Sequence, residues 1–351
     1  MRIPLIYKET PQFGFDIGTH TVKIVQLKKS GSKTALQGYG YAYFPREAVV
    51  EGIVVDPDEL ATAIKPMLQK LSYGRLTSRR AIVGLPASKL FTRTLQLPHM
   101  NDADLGQAVH YEVEQYVPVP ITDLYVDYEI INNTPGPEGH IDVLMMAAPR
   151  AIIDSYIKLF DKLGLEIGAI EGSMTAVVRA LLHSGDAGGS TLVMDVGSIT
   201  SDLTIYDKFI PLTGTVPIGG ETYTDTLVKA LGVKSDQANE IKIKFGIAQS
   251  GFHDNVEEAL RPQLEAVAKE AKRVVKFYQD RGEGRQVKAM VISGGTASMP
   301  GLAEYYTREV GLPLTVADPW RNIELKNSQQ SDNHEAPMYA TAIGLALRGL
   351  L

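Results

Sequence analysis

Two short segments carry the residues with the clearest chemistry. DIGTHTVKIVQL runs from Asp16 and DVGSITSDLTIY runs from Asp195. Each reads as a strand, an aspartate, an apolar residue, a glycine, a threonine or serine, any residue, a threonine and a second strand. One such segment describes an ordinary hairpin turn. Two in register, each opening one half of the chain, imply a duplicated binding element. Gly18 and Gly197 at the turns have no Cβ, so backbone N–H groups approach phosphate oxygens closely. Thr19, Thr21, Ser198 and Thr200 add hydroxyl donors. A bare carboxylate repels phosphate, so Asp16 and Asp195 are expected to hold Mg2+ through its water shell. Two facing hairpins would clamp a triphosphate from both sides.

A third element is VISGGTASMPGL, in which an apolar strand over 287–292 runs into Gly294, Gly295 and Thr296, with a helix starting near Pro300. Such a joint permits close backbone approach to a flat or anionic ligand. Gly219–Gly220, just ahead of a helix at Glu221, is a similar feature and is equally well read as structural. His20 sits in the first turn, where it either reaches a phosphate or fills the turn.

These residues need elements to position them. Phe13 to Asp16 and Thr21 to Leu27 read as the strands of the first hairpin. A helix is expected over 58–71, with Asp56 as N-cap and Pro57 at its first position, although Pro66 lies inside it. Residues 80–97 read as two strands broken at Gly84–Leu85–Pro86. A helix over 102–116 stops at Pro118 and Pro120. Strands at 124–131 and 141–147 are joined by a loop at 132–139, and a helix over 152–163 is stopped by Gly164. The stretch from about 80 to 165 therefore reads β-β-α-β-β-α. The segment 184–190 (SGDAGGS) reads as a linker, followed by a strand over 192–196. Helices are expected at 221–231, 235–245, 254–280 and 338–350.

The bulk composition fits this reading. A chain of 351 residues, 44% hydrophobic and 22% charged, suggests two or three lobes with substantial cores. A formal net charge of −6 argues against a general nucleic-acid binder. The absence of cysteine excludes disulfides, thiolate metal sites and cysteine nucleophiles. No apolar run approaches the ~18 residues of a membrane span, and the first residues show no secretory apolar core. The expected location is the cytoplasm.

With its phosphate-1 segment Asp16-Ile-Gly-Thr-His-Thr, its phosphate-2 segment Asp195-Val-Gly-Ser-Ile-Thr and its adenosine segment Ser293-Gly-Gly-Thr-Ala-Ser-Met-Pro-Gly301, the chain resembles the actin, heat-shock chaperone and sugar-kinase superfamily. Within it, the chain is most similar to the PilM family of type IV pilus assembly proteins, relatives of the division protein FtsA. FGFDIGTHTVKIVQL, EVEQYVPVP (112–120) with the following DLYVDY, VLMMAAPRAIIDSYIKLFDKLGLE and the terminal YATAIGLALRGL carry that likeness.

The resemblance implies an α/β fold of the actin-like ATPase type: two RNase H-like lobes, ATP and Mg2+ between them, and a small inserted α+β subdomain. The expected division is 1–79 for the first lobe, 80–165 for the insertion and 166–189 for the return and linker. Residues 190–336 then form the second lobe and 337–351 a C-terminal helix. The resemblance places Asn239 and Lys242 at the ribose contact, Asn239 standing where the family has Glu. Gly172 falls on the position of the water-orienting Glu or Gln, with Glu171 one residue earlier as the catalytic candidate, so slow or absent hydrolysis is implied. It also implies a partner: the N-terminal cytoplasmic tail of a PilN-like inner-membrane protein, gripped near the insertion, with other pilus platform proteins nearby and self-association open. That would make the protein cytoplasmic and peripheral to the inner membrane. The alternatives are an FtsA-like filament-forming ATPase and a small-molecule kinase of the same fold.

Overall fold

The computed structural model describes residues 11–132, 139–182, 189–207, 209–248, 254–281, 285–325 and 335–350. The expected loop at 132–139 and the linker at 184–190 fall mostly outside them. The first stretch of chain forms β1 (Gln12–Ile17), β2 (Thr21–Ser30), β3 (Lys33–Tyr43), the short pair β4 (Val49–Val50) and β5 (Ile53–Val54), α1 (Pro57–Gln69), β6 (Tyr73–Gly74) and β7 (Arg80–Leu85). Next come β8 (Phe91–Pro98), α2 (Asp102–Tyr116), β9 (Leu124–Asn132), β10 (His140–Pro149), α3 (Arg150–Leu163), β11 (Glu166–Gly172) and α4 (Ser173–Leu181). The second half contributes β12 (Ser190–Val196), β13 (Ser201–Asp207), β14 (Phe209–Val216), α5 (Gly220–Leu231), α6 (Ser235–Lys244), α7 (Asp254–Gln279), β15 (Val287–Ser293), α8 (Leu302–Val310), β16 (Leu314–Val316), β17 (Ile323–Glu324) and α9 (Ala340–Arg348).

The first lobe is built on a mixed sheet in the order β11-β7-β1-β2-β3-β17, with β6 also beside β3. Alternation along β1 decides what covers it. Phe13, Phe15 and Ile17 point into a core shared with Leu60 and Ile64 of α1 and Leu159 and Phe160 of α3. The rings of Phe15 and Phe160 lie 4.9 Å apart. Gly14 points the other way, onto α9, where a Cβ would fall 2.0 Å from Ala342 O. α1 starts as the sequence implies: Asp56 Oδ1 accepts from the amides of Asp58 at 3.1 Å and Glu59 at 2.9 Å. Pro66 is accommodated inside it.

The second lobe is a five-stranded sheet in the order β14-β13-β12-β15-β16. Leu192, Met194, Leu203 and Ile292 of its strands share one core with Leu227 of α5, Leu264 and Val267 of α7 and Tyr306 of α8. Val193 of β12 points instead toward α4, packing with Val177 and Val178. Helices α4 and α9 pack closely, and a Cβ on Gly344 would lie 1.8 Å from Ala176 O, so only glycine allows that approach.

Three expected boundaries move. β7 pairs in parallel with both β1 and β11, so residues 80–85 belong to the first-lobe sheet and not to the insertion. α3 covers that same sheet. The inserted unit is the small sheet β8-β10-β9, one face of which is covered by Leu105, Val109 and Val113 of α2. β17, expected in the second lobe, pairs with β3 of the first, Ile323 opposite Thr34. In each case the element type was legible and its sheet was not, because pairing is a long-range choice.

Candidate functional site

The two Asp-x-Gly segments fold into the same turn. Gly18 N–H donates to Thr21 O at 2.8 Å, and Gly197 N–H donates to Thr200 O at 2.9 Å. In the first hairpin Asp16 lies directly opposite Lys23; in the second Asp195 lies opposite Asp202. The duplicated geometry therefore carries opposite charges on its return strands. Lys23 Nζ donates to Asp16 Oδ2 at 3.1 Å, and it lies 3.5 Å from where a Gly18 Cβ would be, so a cation sits over the first turn. Asp195 accepts from Ser293 Oγ at 2.9 Å. Burial and the neighbouring Asp202 push its carboxyl up to about 6. Burial likewise raises Asp202, which accepts from Thr215 Oγ1 at 2.5 Å.

The hairpin tips meet. His20 Nδ1 is 3.3 Å from Ser198 Oγ, which puts the two turns on opposite sides of one cleft. Both contact Glu221: Ser198 Oγ donates to Glu221 Oε1 at 2.5 Å, and His20 Nδ1 lies 3.2 Å from the same oxygen. Burial holds His20 below the usual imidazole range, which favours its neutral form. Arg46, in the single turn of helix over Arg46–Ala48, ion-pairs with the other Glu221 oxygen.

The glycine pairs build the floor. Gly220 N–H donates to Gly197 O at 2.9 Å and Glu221 N–H to Ser198 O at 2.8 Å, so this loop is laid along the second hairpin. A Cβ on Gly219 would lie 2.6 Å from Ser198 O, and one on Gly220 2.4 Å from Thr296 Oγ1. Both glycines are required by packing, and the Gly220 amide is already bonded. Lys242 Nζ donates to Gly220 O at 2.8 Å and to Thr224 Oγ1 at 2.9 Å, and burial lowers it to about 8. Asn239 is exposed one turn earlier on α6. Gly294 adopts φ +92 and donates to Pro337 O at 3.2 Å; a side chain there would strike Val196 O at 2.4 Å. Thr296 N–H donates to Val196 O at 3.2 Å, while the Cβ direction of Gly295 is open. These contacts thus bring together the segments that carry Asp16, Gly18, Thr19, His20, Thr21, Asp195, Gly197, Ser198, Thr200, Gly219, Gly220, Lys242, Gly294, Gly295 and Thr296.

Glu171 does not join them. It is 5% exposed; its Oε2 accepts from Arg179 Nη2 at 3.0 Å and from Arg348 Nη1 at 2.8 Å, and its Oε1 accepts from Arg179 Nη1. Arg179 is itself anchored to Gly344 O at 2.9 Å. Held by two guanidinium groups, Glu171 is an ion-pair centre tying β11 to α4 and α9, an engagement that speaks against its orienting a water. Sequence reasoning missed Lys23, Asp202, Glu221 and Arg46. The first two lie seven residues after their aspartates, a spacing that counting across a tight hairpin would have found. The last two follow no motif.

Magnesium fits this donor set. Two carboxylates flank the hairpins, and the like charge of Asp202 beside Asp195 is of the kind a cation relieves. Among the described residues no three His, Asp or Glu side chains converge on one point, so a bound Mg2+ would complete its shell from phosphate and water.

A groove of about 590 Å3 lies beside the cleft. Leu144 and Met146 form its floor on the open face of the inserted sheet, Val178 and Leu182 of the α4 segment form one wall, and Thr215 of β14 forms another. Thr215 is also the donor to Asp202, so a residue of the groove hydrogen-bonds the carboxylate that faces Asp195.

Comparison with known proteins places this geometry. The family model for type IV pilus assembly protein PilM matches residues 14–350. The cell division protein FtsA of Streptococcus pneumoniae serotype 2 is 24% identical over 344 residues, spanning 87% of this chain and 75% of that protein. Among solved structures, the PilM-PilN type IV pilus biogenesis complex superposes with a TM-score of 0.84 at 23% identity, covering 98% of this chain and 100% of that one. MreB 5 of Spiroplasma citri bound to AMPPNP superposes with a TM-score of 0.55 at 12% identity, covering 97% and 96%. The fold is that of the actin-like ATPases.

Proposed function

The chain belongs to the PilM family of type IV pilus assembly proteins, and from that premise we propose that it is a nucleotide-dependent scaffold. Mg2+-ATP is held between the two hairpins, and the N-terminal tail of a PilN-like membrane protein lies in the groove beside the inserted sheet. The observation that carries this is the pair of mirrored hairpins whose tips meet at His20 and Ser198. Thr19, Thr21, Ser198 and Thr200 offer hydroxyls to phosphate, and Lys23 supplies a cation at the first turn. Lys242 and Asn239 lie on the ribose side. Asp16 and Asp195 would hold the metal, which supplies charge neutralisation for the phosphates.

Two features support slow or absent hydrolysis. Gly172 offers no side chain to a water, and the neighbouring Glu171 is occupied by arginines. No described helix is long and apolar enough to cross a membrane. Attachment to the inner membrane is accordingly assigned to the partner's tail. The groove's apolar floor suits a short extended segment with aliphatic side chains.

Calorimetric titration tests both halves. Mg2+-ATP should bind, and Asp16→Ala and Asp195→Ala should each weaken it about tenfold or more. A peptide of the partner's N-terminal tail should bind wild type and fail with Met146→Lys. Failure of Mg2+-ATP to bind would remove the nucleotide half, and failure of every tail would remove the scaffold half. The likeness to FtsA favours a second reading, nucleotide-dependent self-association. Sedimentation with and without ATP decides it, since a filament former pellets only with nucleotide.

A further inference from the structure

A carboxylate stands between the two hairpin tips. Glu221 accepts from Ser198 Oγ at 2.5 Å, lies 3.2 Å from His20 Nδ1 and ion-pairs with Arg46. Ser198 and Glu221 belong to the second lobe, and His20 and Arg46 to the first. The contact is therefore a latch across the cleft, and its centre is an anion. Glu221 is fixed in place by its own backbone, whose N–H donates to Ser198 O at 2.8 Å. A hydroxyl, an imidazole nitrogen and a guanidinium converging on one anion form a donor set that also recognises phosphoryl oxygens.

We propose that the Glu221 carboxylate competes with the terminal phosphate of a bound nucleoside triphosphate for these donors, and that Arg46 distinguishes triphosphate from diphosphate. The proposal rests on reading the cleft as a nucleotide site. Two anions cannot share the space between the tips without mutual repulsion, so a terminal phosphate that takes Ser198 and Arg46 displaces the carboxylate. Glu221 is mostly enclosed but keeps 20% of its side-chain surface in solvent, which gives the displaced carboxylate somewhere to go. A diphosphate is shorter by one phosphoryl group and leaves the latch closed. The two lobes are then joined through Arg46 and Glu221 with a diphosphate, and through Arg46 and phosphate with a triphosphate.

The test compares dissociation constants for Mg2+-ATP and Mg2+-ADP in wild type, Glu221→Gln, Arg46→Ala and Arg46→Lys. Glu221→Gln keeps the shape and removes the charge. It should tighten ATP by about tenfold and leave ADP within about twofold, because only the triphosphate meets the carboxylate. Arg46 is 55% exposed on its side chain, so its removal probes charge without disturbing a core. Arg46→Ala should weaken ATP by about tenfold with ADP unchanged, and Arg46→Lys should fall between, since lysine keeps the charge and loses the planar fork. Equal changes for ATP and ADP in Glu221→Gln, or a wild-type ATP-to-ADP ratio in Arg46→Ala, would overturn the proposal while leaving the nucleotide site standing. Wild-type protein that binds neither nucleotide would overturn the nucleotide reading itself, and this inference with it.

Discussion

At the scale of single residues, the two hairpins show that the same local motif acquires different chemistry from the residue facing it. Asp16 faces Lys23 and is neutralised within its own hairpin, whereas Asp195 faces Asp202 in a buried setting and is pushed up to about 6. A carboxyl raised in the native state binds its proton more tightly than in the unfolded chain. Its contribution therefore favours the native state at low pH and is lost as pH rises from the ordinary aspartate range through about 6. Asp195→Asn removes that penalty and should stabilise the protein without ligand by ~1–3 kcal/mol at pH 7, read by denaturant midpoint, while abolishing tight Mg2+-ATP binding. In wild type the affinity for Mg2+-ATP should fall as pH drops below about 6, because the metal needs the ionised form. A flat profile between pH 5 and 7.5 would show that Asp195 does not hold the metal. Glu171 makes the opposite case. Glu171→Ala leaves Arg179 and Arg348, 23% and 41% exposed on their side chains, without their counter-ion and should cost about 1–3 kcal/mol. Its effect on nucleotide affinity, measured where the variant is fully folded, should be within about twofold. A large selective loss of ATP binding would instead place Glu171 in the nucleotide site.

At the scale of elements, α9 is the piece that joins the halves. It follows the turn over Ala336–Tyr339, whose Pro337 O accepts from Gly294 in the third glycine joint at 3.2 Å. It then lies against β1, which carries Asp16, and against α4, which lines the groove. Close packing at Gly344 is what permits this. Gly344→Ala drives a methyl into the α4 backbone and should destabilise the fold by about 2–3 kcal/mol or more. Thermal unfolding checks it, and an unchanged midpoint would mean that α4 and α9 are not so closely packed. The element types at these places were visible in the chain: the apolar run of α9, the capped start of α1 and the 3.6-residue period of α7. Membership of a sheet was not, as β7, α3 and β17 show. A strand's period says that one face is buried, but not which neighbour supplies its hydrogen bonds.

At the scale of the whole molecule, the hydrogen bond from Thr215 to Asp202 connects the groove to the second hairpin. A tail that repacks Thr215 changes the surroundings of Asp202 and, through it, of Asp195. Tail affinity should therefore differ between protein with and without Mg2+-ATP, and by reciprocity nucleotide affinity should shift by the same factor when the tail is bound. Thr215→Val removes the hydroxyl at nearly constant volume and should shrink that factor toward one, whereas Thr215→Ser should retain it. A double titration of each variant reads the factor directly, and an undiminished factor in Thr215→Val would place the coupling elsewhere.

The chain by itself determined the duplicated turns, because Asp, Gly and Thr at short fixed spacing specify a hairpin through backbone sterics alone. It determined the third glycine joint and the type of nearly every helix, because capping and periodicity are local. Even Lys23 and Asp202 were within its reach, as partners across a tight hairpin. Only the tertiary structure decided that Glu171 is a buried ion-pair centre, since Arg348 comes from 177 residues further along the chain. It alone decided that the hairpin tips meet on Glu221 and Arg46. Contacts between distant segments depend on how two sheets pack around α4 and α9, and no spacing in the sequence encodes that distance.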